Sequence, residues 1–242
     1  MQQHNNEYFP VELSSHLVSI ITTEHYTLQT GRSMTISEAN GRASLFVGAV
    51  SSGLIALTFV GQISHLGTAF FVFSLVVIPT LVFMGLITFA RVMQSGGTDY
   101  LYARGINRLR HLYLEYAPQL RPYLLLSAHD DREATMSLEE MSPSWVQVFF
   151  NVAGMIAMIT SVLIGSFVGL LLAVFNLPVW VCTSVGVVAF LVSMSIHQRY
   201  QWVQWMRLER NLPLLFSILP AEEKTREEGS VAGTKREDST LS

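Results

Sequence analysis

The residues best suited to chemistry form one short run, His129-Asp130-Asp131, followed closely by Glu133, Glu139 and Glu140. Histidine and carboxylate side chains bind divalent metal ions or exchange protons in general acid–base catalysis. Three consecutive loop residues do not all point at one ion, however, and no second histidine follows at ligand spacing. We therefore expect an acidic, solvated loop. A membrane enzyme that uses this run is the least favoured of three functional hypotheses.

The other candidate groups are isolated along the chain. His65 and His197 fall at the ends of apolar segments, where we expect solvated side chains, although a histidine there can also sense pH. Cys182, the single cysteine, excludes an intramolecular disulfide and is expected to be a small packed side chain. No phosphate-binding loop, dinucleotide fingerprint or zinc-binding helix motif occurs. The sequence therefore predicts no cofactor and no metal.

The elements that must position these residues follow from composition. Of 242 residues, 50% are hydrophobic and only 14% are charged, against about 25% charged in a typical soluble domain. No Asp, Glu, Lys or Arg occurs between positions 43 and 90 or between positions 145 and 198. A soluble domain would have to bury nearly all of both stretches. The charge distribution therefore excludes an ordinary soluble fold and predicts a multi-pass membrane protein.

Each uncharged stretch is long enough for two membrane-spanning helices, since one span needs about 20 apolar residues. Breaks at 64–67 and 176–178 divide the stretches into spans 43–63, 69–90, 148–175 and 179–196. Lipid leaves no partner for unpaired backbone groups, and the segments are too long for barrel strands. The predicted fold class is all-α, with four transmembrane helices in two hairpins and cytoplasmic amphipathic helices. Pro79 is expected to kink the second span.

Six regions result from this division of the chain. In order they are an amphipathic N-terminal region, a first hairpin, a loop with a basic amphipathic helix, a second hairpin, an interfacial helix and a disordered tail. Their ranges are 1–42, 43–90, 91–147, 148–197, 198–220 and 221–242.

The basic residues predict orientation. All 15 Lys and Arg side chains lie outside the spans, and neither hairpin tip contains one. By the positive-inside rule, both termini and the central loop are expected in the cytoplasm and the hairpin tips on the far side of the cell membrane. The net charge of −3 and the basic inner face favour anionic lipid headgroups over nucleic acid as a partner.

Small residues recur every four positions in two of the spans, which allows helix backbones to approach closely. The first ridge comprises Ser44, Gly48, Ser52 and Ala56, and the second comprises Ala157, Ser161, Gly165, Gly169 and Ala173. Spans two and four lack such a ridge. We expect the two ridges to meet, either within one protomer or between protomers of a homo-oligomer. The helix-packing residues predicted are Gly48, Ser52, Ser161, Gly165 and Gly169.

The central loop contains a helical pattern with an aromatic side and basic faces. Arg104, Arg108 and Arg110 lie outside the aromatic stripe, and Pro118 ends the pattern. Such a helix is typical of the headgroup region, so these arginines are expected to contact anionic lipid. The alternative left open is internal pairing with Asp99, Glu115 or the Asp130-Asp131 loop.

Four segments together resemble small bacterial four-helix membrane proteins that are described only as uncharacterised. They are 24–30, 35–42, Thr88-Phe89-Ala90-Arg91 and Arg104-Gly105-Ile106-Asn107-Arg108. The resemblance implies the four-helix membrane fold and brings no activity with it.

Three functions remain open from the sequence. The favoured one is a non-enzymatic membrane protein that self-associates or scaffolds partners through its inner face. The second is a regulated pore or effector gated by its cytoplasmic helices, and the third is the enzyme of the His129–Asp131 loop. Active coupled transport is disfavoured, because no acidic or basic side chain lies within the spans.

Overall fold

The computed structural model describes residues 15–136 and 151–217, and the fold of this part is all-helical. The helices are α1 (Ser15–Ile63), α2 (Thr68–Tyr116), α3 (Arg132–Met136), α4 (Val152–Val174) and α5 (Val179–Asn211). A 3-10 helix (Pro118–Tyr123) follows α2. The expected disordered tail 221–242, the first residues of span three and Glu139 and Glu140 lie outside the described residues.

Four of these helices, α1, α2, α4 and α5, are long and apolar enough to cross a membrane. The prediction of an all-helical fold with four such helices is therefore confirmed at that level. The physical reason is that an apolar segment in lipid must satisfy its backbone hydrogen bonds internally, and the helix does so.

Three helices extend well beyond the uncharged stretches. α1 continues through the expected boundary at 42/43, α2 through that at 90/91, and α5 through that at 197/198. The amphipathic segments are thus parts of the same helices as the apolar ones, with no break between them. α2 also continues through Pro79, since the loss of one backbone donor does not end a helix held by its neighbours.

The turns between the apolar helices need unusual backbone conformations. His65 and Leu66, between α1 and α2, have φ of 51° and 55°, and Asn176, between α4 and α5, has φ of 56°. Asparagine is one of the few side chains that enters this left-handed region readily. At the start of α4, the Asn151 side chain accepts a hydrogen bond from Gly154 N at 2.6 Å, which caps the helix.

The chain divides into two compact units. Of the described residues, the smaller unit contains 15–30, 100–136 and 213–217, and the larger unit contains 31–99 and 151–212. Ile21, Tyr100, Ala103 and Ile106 are among the buried apolar residues of the smaller unit.

The core of the larger unit is contributed by three helices. Phe46 of α1, Ile78 and Phe89 of α2, and Ile156 and Ala157 of α4 belong to one buried cluster. Because lipid is as apolar as these side chains, close packing rather than the hydrophobic effect must hold such a cluster together in a membrane.

Candidate functional site

The most elaborate polar site in the described residues surrounds the carboxylate of Asp130, which is fully buried in the smaller unit. Arg108 Nε donates to Asp130 Oδ2 at 2.8 Å and Arg104 Nη2 donates to the same oxygen at 3.3 Å. The backbone N–H of Phe216 donates to Oδ1 at 2.9 Å, and that of Leu215 lies 3.2 Å from Oδ2. We call this arrangement the Asp130 clasp. It joins α2, the loop before α3 and the segment after α5.

The clasp also binds the backbone of the segment after α5. The Pro213 carbonyl accepts from Arg108 Nη2 at 2.7 Å and from Arg104 Nη2 at 3.1 Å. The backbone N–H of Asp130 donates to the Phe216 carbonyl at 2.9 Å. The His111 ring stacks on Phe216 with ring centroids 3.9 Å apart. The segment 213–216 is therefore fixed by hydrogen bonds along its backbone and by one aromatic contact.

Electrostatics favours the ionised form of Asp130. Burial by itself raises the pKa of this carboxyl. The hydrogen bonds from Phe216 N, Leu215 N, Arg108 and Arg104 outweigh that effect and hold the pKa below its usual value. The carboxylate therefore stabilises the fold at neutral pH, and this contribution is lost only as the pH falls through the lowered pKa.

The expectation of a solvated acidic loop at His129-Asp130-Asp131 is wrong for Asp130, which is 0% exposed. The oxygen Oδ1 of Asp131 is also buried and has no hydrogen-bond partner in the described part of the chain. No group of three or more His, Cys, Asp or Glu residues that could hold a metal ion occurs among the described residues. Of the three residues in the run, Asp130 is thus a buried anion, and the three side chains do not form a metal-binding cluster.

The three predicted arginines have different surroundings. The Arg104 side chain is only 4% exposed and that of Arg108 is 32% exposed, and both contact Asp130. Arg110 instead donates from Nη1 to Asn107 Oδ1 at 2.9 Å. The internal pairing that the sequence left open thus occurs at Arg104 and Arg108, with Asp130 as the partner. Lipid contact by the three arginines stays a prediction.

A second polar contact in the smaller unit joins α1 to α2. Gln29 Nε2 donates to His25 Nε2 at 2.8 Å, so the neutral ring keeps its proton on Nδ1, which lies 3.1 Å from the Tyr113 hydroxyl. Burial, followed by the nearby positive charge of Arg110, lowers the pKa of His25 below its usual 6.5. Burial also raises the pKa of Tyr113. Both groups are therefore neutral at physiological pH.

The ridge on α4 packs against α5. A Cβ added at Gly165 would lie 2.7 Å from the Gly186 carbonyl oxygen, and one added at Gly169 would lie 3.3 Å from that of Cys182. The hydroxyls of Ser161 and Ser193 are hydrogen-bonded at 3.0 Å. Within the described chain this ridge therefore faces α5 rather than the ridge of α1. The sequence offered one signal for its partner, the pair of small residues Cys182 and Gly186 spaced four apart.

The ridge on α1 has no such partner within the described residues. Ser44, Gly48 and Ser52 are exposed, and a Cβ added at Gly48 would have no atom within 4 Å. The Ser52 hydroxyl donates to the Gly48 carbonyl at 2.9 Å, within its own helix. Within 15–136 and 151–217, therefore, nothing covers this helix surface, which permits close approach.

The middle of α5 carries a buried polar face that the sequence did not indicate. Ser193, His197 and Gln201 follow one another at four-residue spacing, and all three are buried. His197 Nδ1 donates to the Ser193 carbonyl at 2.8 Å, and its ring meets Phe89 edge to face. The expectation that His197 is solvated is therefore wrong. Its position beside a basic, aromatic segment resembled a membrane boundary, whereas neighbouring helices cover it.

Comparison with protein-family models, with curated proteins and with solved structures gives no match to this chain. Function must therefore be argued from the geometry described above.

Proposed function

We propose that this chain is a multi-pass protein of the cell membrane that self-associates through the exposed ridge of α1 and presents its cytoplasmic parts as a scaffold. The proposal includes no catalytic activity. The observation that supports it best is the difference between two similar ridges, one packed at van der Waals limits and the other uncovered.

The packed ridge illustrates what small residues do in this molecule. At Gly165, the facing backbone of α5 is so close that an added methyl group would meet its carbonyl oxygen. Gly48 offers the same backbone surface and meets nothing within 4 Å. Helices in lipid associate through such surfaces because close packing and interhelical contacts replace the missing hydrophobic drive. A second copy of the same helix is the simplest occupant, since most homo-oligomers are symmetric dimers.

The proposed topology has two hairpins, α1 with α2 and α4 with α5, and places both termini and the central loop in the cytoplasm. Support comes from the placement of all 15 basic residues outside the apolar segments and outside the turns 64–67 and 176–178. Contacts between α1 and α2, such as the Leu81 side chain against Gly53, and between α4 and α5 favour the hairpins. The opposite orientation would carry every basic side chain across the membrane.

Mutation of the ridge tests the proposal. Gly48→Leu adds a bulky side chain to the ridge at an exposed position where an added Cβ has no described atom within 4 Å, so the protomer is expected to fold normally. Thr58→Leu is the matched control, because Thr58 is exposed on the same helix and lies off the ridge. The mass of the protein in mild detergent and energy transfer between labelled protomers in liposomes report the oligomeric state.

We expect the wild-type protein and Thr58→Leu to be dimers or larger oligomers and Gly48→Leu to be monomeric, with the same helical circular dichroism in all three proteins. A monomeric wild-type protein at all protein-to-lipid ratios contradicts self-association. An unchanged oligomer in Gly48→Leu contradicts the assignment to this ridge.

A further inference from the structure

The groups around the Asp130 carboxylate form a strong anion-binding arrangement. Two guanidinium groups and the consecutive backbone N–H groups of Leu215 and Phe216 converge on its two oxygens. Guanidinium forks and paired backbone amides are the donors that proteins use to bind phosphate and carboxylate groups. Here the anion they hold belongs to the protein itself.

One donor of the Arg104 guanidinium is not used by this carboxylate. Arg104 is 96% buried, and its Nε has no hydrogen-bond partner within the part of the chain that the structure describes. An unpaired buried donor destabilises the fold, and a charged one does so more strongly. A carboxylate offers two oxygens in one plane, whereas inorganic phosphate or a phosphate monoester offers three or four terminal oxygens in a tetrahedral arrangement. The spare N–H therefore favours a phosphate over a carboxylate as the anion that satisfies this site fully.

Access to the site is available through Arg108. Its side chain is 32% exposed, although it donates both to Asp130 and to the Pro213 carbonyl. An anion that arrives from solvent or from a membrane surface would meet this guanidinium first, because Arg104 is only 4% exposed.

We propose that Arg104, Arg108 and the amides of Leu215 and Phe216 form a binding site for a phosphate group, which Asp130 occupies as an internal substitute ligand. Phosphate binding and the Asp130 clasp use the same donors, so each excludes the other. Binding therefore releases the Asp130 loop from segment 213–216. The phosphate is either a free ion or the phosphomonoester headgroup of an anionic lipid such as phosphatidic acid, since both present three terminal oxygens. The inference does not depend on self-association through α1.

Chemical rescue of an Asp130 variant tests this assignment. Full-length Asp130→Ala is placed in nanodiscs of zwitterionic lipid, and its melting temperature Tm is measured against inorganic phosphate, formate and chloride at equal ionic strength. We expect a Tm below that of the wild-type protein and a saturable increase with phosphate, because a ligand that binds only the folded state stabilises it. Formate is expected to rescue the variant at concentrations at least about tenfold higher, since it leaves the spare donor unpaired.

Two further substitutions in the Asp130→Ala background locate the site. Arg108→Gln removes a charge-assisted hydrogen bond and is expected to raise the half-saturating phosphate concentration by about tenfold or more. Arg110→Gln is the matched control, because Arg110 donates to Asn107 and makes no hydrogen bond or ion pair with Asp130 in the described structure. The control should leave the half-saturating concentration unchanged.

A second set of measurements applies if Asp130→Ala does not fold. In the wild-type protein and in Asp130→Asn, phosphate should speed hydrogen exchange at the amide of Asp130, which the clasp holds against the Phe216 carbonyl. The wild-type protein should need more phosphate than the variant, since its own carboxylate competes. The exchange measurement is then repeated in nanodiscs that contain phosphatidic acid, without added phosphate. Exchange at this amide becomes faster there only if the lipid headgroup is the ligand, so the result distinguishes a lipid headgroup from free phosphate.

Three results would overturn the proposal. One is phosphate stabilisation no greater than that by chloride in both variants, and a second is formate acting as well as phosphate. The third is equal effects of Arg108→Gln and Arg110→Gln. In each case the clasp is a structural contact between Asp130 and its neighbours and nothing more.

Discussion

The contact between α4 and α5 at Gly165 permits a quantitative test of the packing argument. Gly165→Ala adds one Cβ, which would lie 2.7 Å from the Gly186 carbonyl oxygen and 3.0 Å from the Phe190 Cβ. The same substitution at Gly48 on α1 meets no atom within 4 Å. The two variants thus make one chemical change in two helices, one at a tight contact and one in open space.

The expected size of the effect follows from these distances. Carbon and oxygen atoms pack at about 3.3–3.6 Å, so α4 and α5 must separate locally by several tenths of an ångström in Gly165→Ala. Overpacking of this kind costs about 1–3 kcal/mol. Replacing a mid-helix glycine with alanine returns about 1 kcal/mol of helix propensity. That gain is common to both positions, so the difference between the variants, about 1–3 kcal/mol when both are measured as monomers, reports the packing cost at Gly165.

Unfolding in mixed micelles, followed by loss of helical circular dichroism, gives the free energies of unfolding. We expect Gly165→Ala to be less stable than Gly48→Ala by about 5- to 150-fold in the unfolding equilibrium constant. Gly186→Ala should act in the same direction, because its Cβ would lie 2.8 Å from the Gly165 carbonyl oxygen. The double variant should lose less than the sum, since one separation of the helices relieves both contacts. Equal stability of Gly165→Ala and Gly48→Ala would refute the reasoning.

Two further predictions concern the smaller unit and the topology. The pKa of His25 is lowered in the fold, so below about pH 6.5 the unfolded chain takes up a proton more readily, and the stability from neutral His25 is lost as the pH falls. The drop in Tm between about pH 7.5 and about pH 5 should therefore be smaller in His25→Gln than in the wild-type protein. The control is His16→Gln, where the replaced side chain is exposed, and equal drops in the two variants would contradict the prediction. For the topology, a membrane-impermeant maleimide should label Leu66→Cys but not Leu125→Cys in intact cells that carry the Cys182→Ser background. Both positions are exposed in the protein, Leu66 at 63% and Leu125 at 98%. Labelling of position 125 from outside would contradict the proposed orientation.

The apolar helices could be predicted from the sequence because charge and length are local properties. Residues 43–90 and 145–198 contain no charged side chain, and the helices α1, α2, α4 and α5 cover most of both ranges. The ends of these helices could not be predicted in the same way. A change from apolar to polar composition marks a change of surroundings, but only a proline, a cap or a turn ends a helix. No such signal stops α2 at Ala90, and even Gly96 and Gly97 lie within it.

The Asp130 clasp was beyond prediction for a different reason. Asp130 and Phe216 are 86 positions apart in the sequence, and Arg104 and Pro213 are 109 apart. Periodicity within a segment contains no information about such pairs. The contact of the packed ridge on α4 could be predicted only in part. Its small residues were visible, but its partner on α5 is only the pair Cys182 and Gly186, which is too short to stand out as a ridge.

The clasp also changes how the basic helix must be understood. The sequence posed lipid contact and internal pairing of Arg104 and Arg108 as alternatives, and the structure places both side chains on Asp130. If the proposed phosphate site exists, lipid contact and internal pairing are two states of one equilibrium, because an external phosphate needs the donors that now bind Asp130. The apparent affinity for an external anion is then the intrinsic affinity multiplied by the fraction of molecules whose clasp is open. Arg110 is not part of that competition, since it donates to Asn107. A role for the whole helix in membrane binding therefore requires Asp130 to be displaced, whereas a role for Arg110 does not.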